Sequence, residues 1–154
     1  MIILAIDPGA NGAIAISWQD NSITTAPFTS ESDLLDTLKD VYSYVEKEGQ
    51  TVIAYIEQVG GYIGKAQPGS AMFNFGRNFG FILGTCQALG FTIRLVTPAK
   101  WQKQYPTRTT KTQNATQHKR ELKDHAARLY PSLKPTLATA DALLILDYAI
   151  HQQQ

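Results

Sequence analysis

The spacing of apolar residues divides the chain into short strands and longer helices. Apolar runs bounded by turn residues predict strands at 2–7, 12–18, 22–26, 52–57 and 91–96. Apolar residues three and four positions apart predict helices at about 30–48, 70–89, 115–130 and 138–150, with a short helix after Thr97-Pro98. Three successive strands followed by alternating helices and strands are typical of a mixed sheet with helices on its faces. The predicted fold class is therefore α/β.

Two of the predicted strands end in a carboxylate. Asp7 follows the apolar run 2–6, and Glu57 follows the apolar run 52–56. A charge at the end of a buried strand is unfavourable unless a partner neutralises it. If the two strands are adjacent and parallel, both carboxylates lie at the same edge of the sheet. Asp7 also suits a turn, because Asp-Pro-Gly favours one. The local pattern therefore leaves open whether Asp7 begins a turn or binds a neutralising partner.

A third acidic residue, Asp141, lies near the start of the last predicted helix. An acidic side chain there often does no more than interact with the helix dipole. Grouped with Asp7 and Glu57, however, it would form a cluster whose charges repel unless cations bind between them. Carboxylate oxygens are the ligands that Mg²⁺ and Mn²⁺ prefer. Two such ions about 4 Å apart can activate water for phosphodiester hydrolysis.

Composition narrows the class of protein. The chain has 154 residues, of which 44% are hydrophobic and 18% charged, and this composition predicts one globular domain over 1–154. The net charge of +1 gives no overall positive excess that would indicate a nucleic-acid partner. A single cysteine, Cys86, excludes an intrachain disulfide and fits a reducing compartment. The first residues lack the features of a signal peptide, and no apolar run approaches the length of a membrane span.

Positive charge is nevertheless concentrated in one part of the chain. Between residues 100 and 123 there are eight basic groups and one acid, Glu121. The basic residues are Lys100, Lys103, Arg108, Lys111, His118, Lys119, Arg120 and Lys123. Such a segment is either a solvated helix face or a surface for a polyanion such as nucleic acid. The charge pattern alone does not decide between them.

Several segments carry a resemblance to a known family. They are Ala5-Ile6-Asp7-Pro8-Gly9, Ile56-Glu57-Gln58-Val59, Ala140-Asp141-Ala142-Leu143 and the stretches 72–80, 96–101 and 126–131. In this order they resemble RuvC-type Holliday-junction resolvases, nucleases of the ribonuclease H-like superfamily, and the middle stretches are closer to its phage and chloroplast branch. The resemblance implies a ribonuclease H-like mixed sheet of about five strands flanked by helices. It also implies a homodimer with two Mg²⁺ or Mn²⁺ ions per active site that cleaves four-way DNA junctions by paired symmetric nicks.

The resemblance assigns roles to individual residues. Asp7, Glu57 and Asp141 match three of the family's four metal-binding carboxylates. Lys119 matches its basic residue near the scissile phosphate. These four residues are the predicted catalytic group.

The fourth carboxylate of the family is missing. It normally lies three or four residues before the last one, where this chain has Ala138 or Leu137. Either three carboxylates suffice, with Thr139 or water filling in, or the chain has lost a ligand. The second alternative allows a weakly active or non-catalytic protein that binds DNA junctions.

Further DNA contacts are predicted around the central helix. Tyr62 follows Glu57 near the place where bacterial relatives insert an aromatic wedge, Lys65 comes soon after, and Arg77 lies within the stretch 72–80. With the basic cluster they form the predicted DNA-binding surface. The aromatic residues of the helix 70–89 are interpreted as core, and its small residues make it the predicted dimer interface.

Two further expectations concern class and location. The turn 7–12 also fits, loosely, the phosphate-binding turn of sugar kinases and ATPases, but those enzymes need two domains and the chain is too short for both. A junction-cleaving protein without a membrane segment is expected in the cytoplasm or another DNA-containing compartment.

Overall fold

A mixed five-stranded sheet organises the protein, and the computed structural model describes residues 1–9, 11–58, 60 and 69–153 of it. The strands are β1 Ile2–Asp7, β2 Ala13–Ser17, β3 Ile23–Pro27, β4 Val52–Glu57 and β5 Thr92–Val96. Their order across the sheet is β3-β2-β1-β4-β5. The first three strands pair antiparallel, whereas β1, β4 and β5 run parallel.

Helices follow the strands in the predicted order. They are α1 Glu31–Glu48, α2 Gly69–Ala88, α3 Pro98–Gln102, α4 Ala115–Leu129 and α5 Ala140–His151, with a 3₁₀ turn at Pro131–Leu133. The predicted α/β class with a five-stranded mixed sheet is confirmed, and the predicted element ends lie within two residues of the observed ones.

Alternating side chains of the sheet divide the core into two layers. Ile2, Leu4 and Ile6 of β1 pack against α1 and α2 on one face. Ile3 and Ala5 face the opposite way and pack in the layer that holds α3, α4 and α5. Since Asp7 has the same parity as Ala5, its side chain belongs to the α5 face of the sheet.

α2 is less buried than the sequence predicted. Only Ile82 and Cys86 of this helix are fully buried, and Phe73 is 71% exposed. The interpretation of its aromatic residues as core is therefore wrong for Phe73, which lies on the outer side of the helix.

Burial raises the pKa of the Cys86 thiol to about 12, which fits a packed thiol rather than a reactive one. Among the described helices, none combines the length and apolarity needed to cross a bilayer.

Gly12 is required by the turn between β1 and β2. A Cβ at this position would lie 2.4 Å from the Asp7 carbonyl oxygen and 2.4 Å from Cζ of Phe28. We expect Gly12→Ala to lower the free energy of unfolding by about 3 kcal/mol, because buried backbone and a core ring must both move. Gly84→Ala is the control, since open space surrounds Gly84 and alanine should raise helix stability by about 1 kcal/mol. Urea denaturation of both variants measures the difference, and equal effects would contradict this account of the turn.

Candidate active site

Asp7 and Glu57 are the last residues of neighbouring parallel strands. Ile6 pairs with Ile56 across β1 and β4, so the two carboxylates follow at the same edge of the sheet. Glu57 has the parity of Ile53 and Tyr55, which pack in the α5 layer, so both carboxylate side chains belong to that face. The two strands thus meet the condition under which the sequence places both carboxylates at one edge of the sheet.

Asp141 reaches the same edge from α5. This helix lies against β1, β2 and β4 of the sheet and also packs against α4. Most of its residues are buried because both of its apolar sides are covered. Asp141 is its second residue and lines one cavity of about 380 Å³ together with Asp7 and Glu57. The structure thus brings the three predicted carboxylates together.

Burial makes this cluster unfavourable when it is fully ionised. Asp7 is 8% exposed, and loss of solvent raises its pKa, an effect opposed by hydrogen bonding from Gly9. Burial and the neighbouring Asp7 charge raise the pKa of Glu57 to about 7. The same two causes raise the pKa of Asp141 to about 6. Near neutral pH Glu57 is therefore partly protonated, and a bound cation would displace that proton.

Two hydrogen bonds orient the strand-end carboxylates. The backbone N–H of Gly9 donates to Oδ1 of Asp7 at 3.0 Å. The indole Nε1–H of the fully buried Trp101 donates to Oε1 of Glu57 at 2.9 Å. Sequence reasoning placed Trp101 on a short helix but missed this role, because the two partners are 44 residues apart.

Cationic side chains reach the cluster from α4 and from the segment before it. Lys119 Nζ lies 3.9 Å from Oδ2 of Asp141, and Lys111 lines the same cavity. Burial has the largest effect on the pKa of Asp7 and raises it, whereas both positive charges lower it. Lys119, predicted as catalytic, is thus beside the carboxylates. Lys111, predicted only as a DNA contact, is beside them too.

His118 lines this cavity with an imidazole held in one orientation. Its Nδ1 lies 2.8 Å from the Thr109 carbonyl oxygen and 3.0 Å from Oγ1 of Thr107. Because a carbonyl can only accept, Nδ1 carries a proton and donates to Thr109. The buried Nε2 has no hydrogen-bond partner among the described residues.

The donor set fits a hard divalent cation. Asp7 and Glu57 are desolvated carboxylates, and within the described ranges no basic side chain forms an ion pair with either of them. Such oxygens are the ligands of Mg²⁺ and Mn²⁺. No three acidic, histidine or cysteine side chains of the described residues already form a preassembled metal cage.

Residues 137 to 139, where the resemblance expects the fourth carboxylate, supply no carboxylate to the cavity. Leu137 is 49% exposed, and Ala138 carries no donor atom. The Thr139 hydroxyl accepts a hydrogen bond from the Thr136 N–H at 3.0 Å and lies 3.2 Å from the Thr136 hydroxyl. The side chain of Thr139 therefore helps to shape the turn before α5, and it is not among the residues lining the carboxylate cavity.

The remaining predicted DNA contacts are more scattered. Arg108 lines a separate polar groove with Glu121, and Arg77 forms an ion pair with Glu31 at 2.7 Å. The other basic residues of the cluster are outside the lining of the carboxylate cavity; they are Lys100, Lys103, Arg120 and Lys123. Tyr62 and Lys65 lie outside the described residues.

Comparisons with known proteins give a fold but no family. No protein-family model and no curated protein matches the chain. Among solved structures, Thermus thermophilus RuvC in complex with a Holliday junction substrate matches with a TM-score of 0.62 at 13% identity, over 99% of this chain and 96% of that one. A second structure, described only as T. thermophilus RuvC, matches with a TM-score of 0.57. Its identity is also 13%, over 99% of this chain and 96% of that one. The chain therefore has a RuvC-like, ribonuclease H-like fold.

Proposed function

We propose that the protein is a Mg²⁺- or Mn²⁺-dependent endonuclease that resolves four-way DNA junctions by paired symmetric nicks. The observation that carries this proposal is the buried cluster of Asp7, Glu57 and Asp141 at one edge of a RuvC-like sheet, with Lys119 beside it. Solved RuvC with a junction substrate has a similar fold, which supports the choice of DNA. The whole chain, 1–154, would form this nuclease domain.

The chain's own groups have separate tasks in hydrolysis. Asp7, Glu57 and Asp141 would hold two divalent ions, which lower the pKa of the attacking water and stabilise the leaving oxygen. Trp101 orients the Glu57 carboxylate through its indole N–H. Lys119 and Lys111 place positive charge where the phosphodiester must enter, which favours the anionic backbone and the developing charge on its oxygens.

A homodimer follows from two symmetric nicks, because each strand needs its own active site. The outer side of α2 is available for such contact, with Phe73 exposed and open space at Gly76 and Gly80. The exposed basic residues of 100–123 would then contact phosphates on either side of the junction centre. We place Tyr62, Lys65 and Arg77 in the same proposed interface with DNA.

A second candidate function is a protein that binds junctions without cutting them. The observation that favours it is the absence of a donor side chain at Leu137 and Ala138, together with the engagement of Thr139 by Thr136. Three carboxylates would hold the second ion less tightly than four.

One assay separates these candidates. Labelled four-way junction and matched duplex are incubated with Mn²⁺, Mg²⁺ or EDTA, and both binding and strand cleavage are measured. Metal-dependent paired nicks in the junction support the resolvase. Tight junction binding without cutting supports the binding protein. ATP hydrolysis without junction binding would instead favour the kinase-like alternative.

Trp101→Phe tests how Glu57 is oriented. The variant keeps an aromatic ring in the core but removes the N–H that donates to Glu57. We expect cleavage to fall about tenfold, because one hydrogen bond to a charged group is lost. We also expect the pH of half-maximal Mn²⁺ binding to rise. Trp18→Phe is the matched control, because the Trp18 indole donates to Thr24 far from the cluster. Equal pH profiles for wild type and Trp101→Phe would exclude this role.

A further inference from the structure

Glu121 is the one acid within the basic segment 100–123, and its carboxylate is engaged in several hydrogen bonds. Oε2 accepts from the backbone N–H groups of Arg108 and Thr109 at 2.7 and 3.2 Å. Oε1 accepts from the Thr109 hydroxyl at 3.1 Å and from the Gln117 side chain at 3.2 Å. Burial raises the pKa of Glu121, but the hydrogen bonds that it accepts bring the pKa below its usual range. The carboxylate is therefore ionised, and these hydrogen bonds are charge-assisted.

His118 holds the same segment from a position three residues earlier in α4. Its Nδ1 donates to the Thr109 carbonyl oxygen at 2.8 Å and lies 3.0 Å from the Thr107 hydroxyl. The N–H, the carbonyl and the hydroxyl of Thr109 are thus all bonded to side chains of α4. Residues three apart lie on one side of a helix, so His118 and Glu121 together form what is here called the clamp.

The turn that follows the clamped residues is closed by hydrogen bonds of its own. The N–H of Thr110 donates to Oε1 of Gln113 at 3.1 Å, and the Thr110 carbonyl accepts from the N–H of Asn114 at 3.0 Å. Asn114 in turn caps the first residues of α4 with its side chain. Lys111 lies inside this turn, so the backbone is fixed on both sides of it.

Lys111 is the side chain that this arrangement brings to the carboxylates. It lines the cavity that holds Asp7, Glu57 and Asp141. Burial raises the pKa of all three carboxyl groups, and the positive charge of Lys111 lowers it in each case. Because a lysine side chain has many rotamers, its ammonium stays at one place only if the backbone beneath it is fixed.

We propose that the clamp positions Lys111, so that its ammonium is already in place when the phosphodiester enters. The proposal rests on the proposed nuclease function and gives Glu121 a task in it. Glu121 does not line the carboxylate cavity, so it is a positioning residue that acts through Lys111. A displacement of about 1 Å in a group that acts on the transition state can cost about 100-fold in rate, which makes such positioning important.

A double-mutant cycle separates positioning from general stability. Single-turnover cleavage of a four-way junction is measured for the wild type, Lys111→Met, Glu121→Ala and the double variant. We expect Lys111→Met to slow cleavage about 100-fold and Glu121→Ala to slow it about tenfold. The double variant should cut no more slowly than Lys111→Met, because the clamp then has no charge to position. Glu121→Gln keeps an acceptor oxygen and should stay within about threefold of the wild type.

Mn²⁺ affinity without DNA is a second readout, measured by isothermal titration calorimetry at pH 8. The positive charge of Lys111 repels a cation at the carboxylates, so Lys111→Met and Glu121→Ala should each bind Mn²⁺ about fivefold more tightly than the wild type. A fold that was merely destabilised would not bind the ion more tightly. Asp124→Ala is the matched control, because it removes an acid of equal charge from an exposed site on the same helix. It should cut junctions and bind Mn²⁺ like the wild type.

Several outcomes would overturn the clamp. If the effects of Lys111→Met and Glu121→Ala multiply in the double variant, or if Glu121→Ala leaves Mn²⁺ affinity unchanged, the clamp is wrong and the nuclease stands. A wild type that neither binds Mn²⁺ nor cuts junctions overturns the proposed function, and the clamp with it. Should Glu121→Ala not fold, Thr109→Val carries the same cycle, since it removes a hydroxyl that donates to Glu121. A loss in Thr109→Val that persists beside Lys111→Met would likewise overturn the clamp.

Discussion

Replacing Asp7 with asparagine is expected to abolish metal-dependent junction cleavage while leaving junction binding close to that of the wild type. Asp7 is the central charge of the cluster, since it raises the pKa values of both Glu57 and Asp141. Asp7 would therefore be one of the carboxylates that hold the divalent ions. Losing a metal ligand removes several kcal/mol of transition-state stabilisation, which corresponds to about 10³-fold in rate.

The control for this substitution is Asp36→Asn, which removes one exposed carboxylate from α1. It should cut and bind like the wild type. Binding is measured by gel shift in EDTA, and cleavage is measured in Mn²⁺ with labelled strands. If Asp7→Asn cuts at near the wild-type rate, the assignment of Asp7 as a metal ligand is wrong. A loss of both cutting and folding would be detected by circular dichroism and would move the test to Glu57→Gln.

The second large effect concerns stability. We expect Glu57→Gln, without metal at pH 8, to unfold with a free energy about 2 kcal/mol higher than the wild type. The pKa of Glu57 is about 7 in the folded chain and ordinarily 4.5, so burial disfavours its ionised form. Glutamine keeps an oxygen that can accept the Trp101 N–H but carries no charge.

The pH dependence has a definite sign. Because the folded-state pKa is raised, the stabilisation from protonated Glu57 is complete below about pH 4.5 and is lost as the pH rises through about 7. The wild type should therefore lose stability between pH 5 and 8, and the advantage of Glu57→Gln should vanish near pH 4.5. Glu46→Gln, at an exposed site on α1, should follow the wild type. Urea denaturation across this range measures all three proteins, and a wild type that gains stability toward pH 8 would contradict the account of a desolvated cluster.

Added metal should reverse the penalty. At pH 8, saturating Mg²⁺ binds the folded state and neutralises the ionised carboxylates, so the wild type should gain more stability than Glu57→Gln. The residue that destabilises the metal-free protein is then the one that the metal-bound protein needs.

The sequence predicted the strand-end carboxylates because their position depends on local pattern. Apolar runs that end in Asp7 and Glu57 define both the strands and their last residues, and parallel pairing places those ends together. Asp141 was grouped with them through the resemblance to RuvC-type resolvases, because its local pattern fits a helix-dipole partner equally well. The strand-end positions of Asp7 and Glu57 require only the period of the side chains and the layering of the sheet.

Contacts between distant segments could not be predicted in the same way. The Trp101–Glu57 hydrogen bond joins residues 44 apart, and nothing in either segment marks the partner. Lys111 lies in an irregular stretch, so its position beside the carboxylates depends on how α4 packs. Phe73 was assigned to the core on its apolar character alone, but it lies on the side of α2 away from the sheet.

The central claim is that Asp7, Glu57 and Asp141 bind divalent cations at the sheet edge. Crystals of the wild-type protein soaked in MnCl₂ and measured at the manganese absorption edge test it most directly, because anomalous difference density locates the ion without reference to activity. We predict a peak in coordination contact with Asp7 and with at least one of Glu57 and Asp141. A cavity without anomalous density, at an Mn²⁺ concentration that supports cleavage in solution, would contradict it.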